Sequence, residues 1–253
     1  MQTLKALVTG ASSGIGKAMA MSLAQQGHEL FLVARRSDKL QQLELTLKEN
    51  FPNTVTHLIA KDISDPALPQ VLSQLSGQRI DILINSAGLA LGREKFENSQ
   101  ATDWEEMIHT NVLGNFRLVH LVLPWMLKHG QGDVINLCSI AGHYTYSGGA
   151  IYCATKHAVL AFTRAVREET CGKNIRVMQI SPGMVDTEFS TVRFKGDKEK
   201  ASSVYAGMTP LRAEDIARMM TFMLEQPRHV VIDELVTMPM DQGSATTVCR
   251  SSP

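Results

Sequence analysis

The chain has 253 residues, enough for one large α/β domain with a substantial core. Its 25 Lys and Arg balance 25 Asp and Glu, so there is no electrostatic case for binding nucleic acid or an anionic membrane. The longest apolar stretch, 118–127, is broken by His120 and Pro124 and is too short to span a bilayer.

Residues 4–8 read as a short buried strand, followed at once by Thr9-Gly10-Ala-Ser-Ser-Gly14-Ile-Gly16 and a helix pattern that runs to Gln26. A glycine turn between strand and helix lets the backbone approach a pyrophosphate, and the helix N-terminus adds amide donors and positive dipole. The spacing is Gly-x-x-x-Gly-x-Gly rather than the commoner Gly-x-Gly-x-x-Gly. Residues 29–34 form a second strand. Where an NAD-binding protein places an acid for the ribose 2′-hydroxyl, this chain has Arg35 and Arg36. Guanidinium groups there suit a 2′-phosphate, so the expected cofactor is NADP. Ser37 and Asp38 open the next helix, 37–50, with Leu40, Leu43 and Leu47 on one face.

A third strand is expected at 55–60. Asp62, just beyond it, either binds the adenine amino group or caps a helix starting near Asp65. A fourth strand, 80–84, leads into Asn85-Ser-Ala87-Gly88, where small residues again permit close contact with a ligand. Alternation of strands and helices predicts a doubly wound parallel sheet. One long helix is expected over 101–128, capped by Thr102 or Asp103, with a late kink at Pro124. Asn111 inside it is unfavourable unless it has a partner or a task.

Val134, Ile135 and Leu137 form a buried strand that ends at Ser139, where an open α/β sheet usually places its chemistry. A loop containing Gly142, Gly148 and Gly149 follows. Tyr152 and Lys156 then fall four residues apart on one helix face. An ammonium beside a phenol lowers its pKa, which makes the tyrosine a usable proton carrier near neutral pH. Tyr-x-x-x-Lys alone is common by chance, and its weight here comes from its surroundings. That helix ends near Gly172, and residues 175–180 form a sixth strand before Ser181-Pro182-Gly183. Residues 184–207, charged and irregular, are expected to be a mobile lid. A helix at 211–224 and a last strand within 230–240 precede a Ser- and Thr-rich tail, 241–253, expected to be loosely held. There is no internal repeat and no second domain; residues 1–253 read as one unit.

Cys138, Cys153, Cys171 and Cys249 form no Cys-x-x-Cys pair and no metal spacing. With no signal-peptide layout at Met1, the expected location is cytoplasmic, with reduced thiols and no metal.

Together these positions resemble the short-chain dehydrogenase/reductase family, in its single-domain branch. The resemblance rests on Thr9-Gly10-x-x-x-Gly14-x-Gly16, Asn85-x-Ala87-Gly88, Asn111, Ser139, Tyr152-x-x-x-Lys156 and Pro182-Gly183, all in register. Ser86 stands where the family usually has Asn, a small departure. Within the family the chain is similar to NADP-dependent serine and 3-hydroxy acid dehydrogenases and sulfoacetaldehyde reductases. That narrower likeness is carried by Gly88-Leu-Ala-Leu-Gly92, Asp103-Trp104, Met107-Ile108, Thr110-Asn111 and the run from Glu188 to Asp197.

The resemblance implies a Rossmann-like NADP-binding sheet of about seven strands. It also implies a tetrad of Asn111, Ser139, Tyr152 and Lys156. Tyr152 would exchange the proton with the substrate oxygen, Ser139 would hold that oxygen, Lys156 would bind the nicotinamide ribose, and Asn111 would steady a water that returns the proton. Around the cofactor it places Gly10, Ser12, Ser13, Gly14, Ile15, Gly16, Arg35, Arg36, Asp62, Ile63, Asn85, Ala87, Gly88, Pro182, Gly183, Val185 and Thr187. The implied substrate is a small anionic carbonyl compound or its alcohol. Phe189 would exclude water and Arg193 would swing in to hold the anion, with His143, Tyr144 and Tyr146 as rival donors. Lys195, Lys198 and Lys200 are read as solvated. A 3-oxoacyl-carrier-protein or steroid reductase would suit a more open or more apolar lid. A non-catalytic NADP-binding protein would be expected to lack Tyr152 or Lys156. Val112, Leu113, Phe116, Val119, Val159 and Phe162, apolar residues on the Asn111 and Tyr152 helices, together with the family's habit, predict a homotetramer.

Overall fold

The computed structural model describes residues 3–251. Met1, Gln2, Ser252 and Pro253, the ends of the expected domain and tail, lie outside the described residues. Among the described residues seven strands form one parallel sheet: β1 Lys5–Thr9, β2 Glu29–Ala34, β3 Thr56–Ala60, β4 Ile82–Asn85, β5 Gly132–Leu137, β6 Ile175–Pro182 and β7 Glu234–Thr237. Their order is β3-β2-β1-β4-β5-β6-β7. The direction of winding reverses between β1 and β4, and the crevice beyond the strand ends opens there, as in other open α/β sheets.

The helices are α1 Gly14–Gln25, α2 Ser37–Asn50, α3 Leu68–Ser76, α4 Ala101–Ile108, α5 Asn115–His129, α6 Ala150–Glu169, α7 Glu188–Arg193, α8 Lys198–Ser203 and α9 Ala213–Leu224. The central strands are apolar on both faces, as a sheet covered on both sides requires. Val8, Leu32, Ile84 and Ile180 pack with Met19, Leu43 and Met220 from α1, α2 and α9. Leu7, Phe31, Leu83 and Val177 pack with Leu72, Val122 and Val166 from α3, α5 and α6. Among the described residues no helix is long and apolar enough to cross a membrane.

Three regions differ from what the sequence suggested. The expected 101–128 helix is split: α4 and α5 are separated by a π-helical turn, His109–Gly114. The cause is Asn111, whose side chain is fully buried. Its Oδ1 accepts from Leu89 N (2.8 Å), and its Nδ2 donates to Leu89 O (2.7 Å) and Thr155 Oγ1 (3.1 Å). These bonds replace solvent for an amide inside a helix, and widened turns of this kind gather at functional sites. Thr102 and Asp103 do not cap α4, since the extended residue before it is Gln100.

The lid is the second difference. It is ordered into α7, capped by Thr187 Oγ1 accepting from Phe189 N, and α8, capped by Asp197 Oδ1 accepting from Lys200 N. Lys195 is not simply solvated: its Nζ lies 2.9 Å from Asp103 Oδ2. The third is the tail, which is tied to the lid rather than loose. Gln242 Oε1 accepts from Met184 N (2.8 Å), Arg250 NH2 donates to Val204 O (2.9 Å), and Ser251 N donates to Gly207 O (2.8 Å).

Candidate active site

The crevice over the switch point runs from the turn after β1 to the start of α6. Its walls include Gly10, Ser12, Ser13, Gly14, Ile15 and Gly16 from that turn, Arg35 and Arg36 after β2, and Asp62 and Ile63 after β3. Ala87 and Gly88 follow β4. Ser139, Tyr152 and Lys156 close the far end, with Pro182, Gly183, Val185, Thr187 and Phe189 above. Gly14 has φ +52°, in the left-handed region that favours glycine. A Cβ on Gly16 would strike the Gly10 carbonyl oxygen. The first turn of α1 has neither an acidic residue nor a side-chain cap, so its amides and dipole are left for an anion.

At the end of β2 the cations are already engaged. Arg35 NH1 is 3.4 Å from Glu106 Oε1 and 3.8 Å from Asp62 Oδ2. Arg36 NH1 donates to Glu188 Oε2 at 2.8 Å, and its NH2 to Ser13 Oγ at 2.8 Å and Ser12 Oγ at 3.2 Å. Lys39 Nζ pairs with the other oxygen of Glu188. The hydrogen bond from Lys39, then that from Arg36, hold the Glu188 carboxyl below its usual pKa against some burial. Neither Glu188 nor Lys39 was expected from the sequence. Their only signal was an acid opening the lid and a lysine one helical turn beyond Arg35.

At the other end Ser139 leaves β5 and opens a short 3-10 turn, its Oγ accepting from Ala141 N at 3.1 Å. Tyr152 is buried, and Phe189 stands over it with ring centroids 5.6 Å apart at 59°. Lys156 is 4% exposed; its Nζ donates to Leu137 O at 2.8 Å and lies 5.9 Å from the Tyr152 ring centre. Burial pushes the Tyr152 phenol well above its ordinary pKa, with Tyr146 adding to the rise; hydrogen bonding to Ser139 and the Arg193 charge oppose it. Burial lowers Lys156, against an upward pull from Cys138. The expected depression of the tyrosine by the lysine is therefore not what the chain alone produces, because desolvation outweighs the charges.

Arg193 is not waiting outside to swing in. Its guanidinium lies 5.8 Å from the Tyr152 ring centre and 5.5 Å from that of Tyr146. Nε donates to Gly92 O (3.1 Å), NH1 to Tyr146 Oη (3.0 Å) and NH2 to Gly148 O (3.3 Å). It lines a small cleft beside the main crevice, and Tyr152 belongs to both.

Besides Arg193 and its partner Tyr146, four expected site residues do not line the main crevice. Asn85 is buried in a polar row across the sheet, donating to Asn136 Oδ1 at 3.1 Å. Asn111 sits behind Gly88, and its side chain is consumed by Leu89 and Thr155. His143 turns to Glu234, Nε2 to Oε1 at 2.5 Å, and Tyr144 is 45% exposed outside the crevice.

A doubly wound sheet with its cleft at the switch point and a glycine turn below it is the architecture of Rossmann-like nucleotide-binding enzymes. The family model described as short chain dehydrogenase matches residues 4–198. The chain belongs to the short-chain dehydrogenase family. It is 43% identical over 248 residues to an NADP-dependent 3-hydroxy acid dehydrogenase of Schizosaccharomyces pombe, covering 96% of this chain and 95% of that protein. Serine 3-dehydrogenase of Agrobacterium fabrum is 39% identical over 242 residues, covering 94% and 95%. A solved closed form of serine dehydrogenase complexed with NADP+ superposes with a TM-score of 0.90 at 37% identity, covering 98% of this chain and all of that one.

Proposed function

We propose that this chain is an NADP(H)-dependent oxidoreductase that interconverts a small anionic aldehyde or ketone, of the 3-hydroxy acid or serine type, and its alcohol. The relatives above support the cofactor and substrate class. The observation that carries the reading is the Arg193 guanidinium beside Tyr152, which puts a fixed cation next to the proton carrier. Three of the five N–H donors of an arginine are used here by Gly92, Tyr146 and Gly148, which leaves two for a carboxylate or sulfonate.

The residues fit the cofactor. The glycine turn and the open first turn of α1 suit its pyrophosphate, Arg35 and Arg36 its 2′-phosphate, and Asp62 its adenine. When bound, it supplies the hydride. The chain's own share is position and protons. Tyr152 gives its phenolic proton to the carbonyl oxygen during reduction and takes it back during oxidation. Ser139 holds that oxygen with its hydroxyl. Lys156, its stem buried and its ammonium fixed on Leu137 O, offers its remaining N–H donors to the ribose hydroxyls. Asn111 acts as a positioning residue: it ties the 88–89 loop to α6 through Leu89 and Thr155. Its own carbonyl accepts from Asn115 Nδ2 (3.0 Å) and keeps a lone pair for a water that returns the proton. Phe189 shuts out bulk solvent.

A panel of small hydroxy acids, serine, a sulfonated aldehyde and neutral aldehydes, followed by NADPH absorbance, tests the reading. Higher kcat/KM for the anionic members supports it. Preference for neutral or long acyl carbonyls would replace it with the general carbonyl-reductase alternative.

A further inference from the structure

Glu188 opens the first lid helix, and its carboxylate reaches the corner after β2. One oxygen accepts from Arg36 NH1 at 2.8 Å, and the other pairs with Lys39 Nζ. Arg36 also grips Ser12 and Ser13 of the glycine turn. A single lid carboxylate thus joins two cations, and one of those cations ties it to the phosphate turn. Glu188 and Arg36 both line the crevice. Arg35 is engaged differently, by Asp62 and Glu106.

We propose that Glu188 is an internal stand-in for the 2′-phosphate of NADP, and that Lys39 is a further cation for that phosphate. The inference rests on the reading that the Arg35–Arg36 corner takes the 2′-phosphate. A carboxylate and a phosphate monoester offer the same kind of charged acceptor, but the phosphate carries about −1.5 to −2 against −1. An incoming NADP therefore wins Arg36 and Lys39 and releases the Glu188 end of α7. The other end stays pinned by Arg193 to Gly92 and Gly148. NAD brings only a hydroxyl and leaves the pair of cations on Glu188. On cofactor release the carboxylate recaptures both cations, so departure does not strand them.

All three side chains are partly exposed, with side-chain exposures of 41% for Arg36, 31% for Lys39 and 45% for Glu188. The competition is accordingly modest, about 2- to 5-fold in affinity. The test is fluorescence titration of NADPH and NADH into Glu188→Gln, Lys39→Met and Arg36→Met. Glu188→Gln should tighten NADPH about 2- to 5-fold, slow its dissociation and leave NADH unchanged, and Lys39→Met should weaken NADPH alone. Weaker or unchanged NADPH binding in Glu188→Gln, or equal shifts for both cofactors, would overturn the stand-in role. If Arg36→Met leaves the NADPH-to-NADH affinity ratio unchanged, the phosphate corner itself is misassigned and the proposal falls with it.

Discussion

Replacing Arg193 by Ala separates its two tasks. It removes three hydrogen bonds that hold the lid to the 92 and 148 backbone and to Tyr146, a loss every substrate shares. It also removes the cation beside Tyr152, a loss felt only by a substrate that carries an anion. A charge-assisted hydrogen bond to that anion is worth about 1.5–3 kcal/mol. At about 1.4 kcal/mol per decade, kcat/KM for an anionic aldehyde should fall about 10- to 150-fold further than for a neutral aldehyde of similar size. Arg193→Lys should recover part of the loss, since it restores the charge without the planar fork. The assay is NADPH oxidation with the two aldehydes side by side. Equal losses would show that Arg193 only anchors the lid, and the anion would have to be held elsewhere.

Arg35→Asp should weaken NADP(H) by about 1.5–3 kcal/mol while leaving NAD(H) nearly unaffected; equal losses in a binding titration would show that Arg35 does not read the phosphate. The raised pKa of Tyr152 gives a pH rule. A phenol whose folded-state pKa lies above the usual ~10 stays protonated through the neutral range. It is then an acid ready for carbonyl reduction and a scarce base for alcohol oxidation. Reduction should stay level to about pH 9 while oxidation climbs with pH, and a fall in reduction centred near neutrality would contradict this. Of the apolar residues on the Asn111 and Tyr152 helices, Val119 and Val159 are buried in the core and offer no surface to a partner, whereas Val112, Leu113, Phe116 and Phe162 are partly exposed in the single chain. A homotetramer is expected from them, and light scattering at micromolar concentration would reject it by giving 27.8 kDa.

The sheet was legible because its central strands are apolar runs bounded by glycine, serine or proline, and strand-to-helix alternation admits few topologies. The lining of the crevice was legible for a related reason: its residues follow strand ends directly. What was hidden depends on contacts distant in sequence. The break between α4 and α5 comes from Asn111 bonding to Leu89 and Thr155, 22 and 44 positions away. Glu188 meets Arg36 across 152 positions, and His143, beside Ser139 in the chain, is drawn off by Glu234 91 positions on. The tail looked loose because Ser and Thr are polar, yet Gln242 and Arg250 satisfy backbone groups of the lid. The tyrosine's raised pKa was missed because spacing shows the lysine four residues on but not the burial that raises the phenol.

The central claim is that Tyr152 carries the proton. Tyr152→Phe keeps the ring against Phe189 and removes only the phenolic oxygen. With NADPH affinity and the melting temperature unchanged, kcat for carbonyl reduction should drop on the order of 100- to 10,000-fold. A kcat close to that of the unmodified chain would contradict the account.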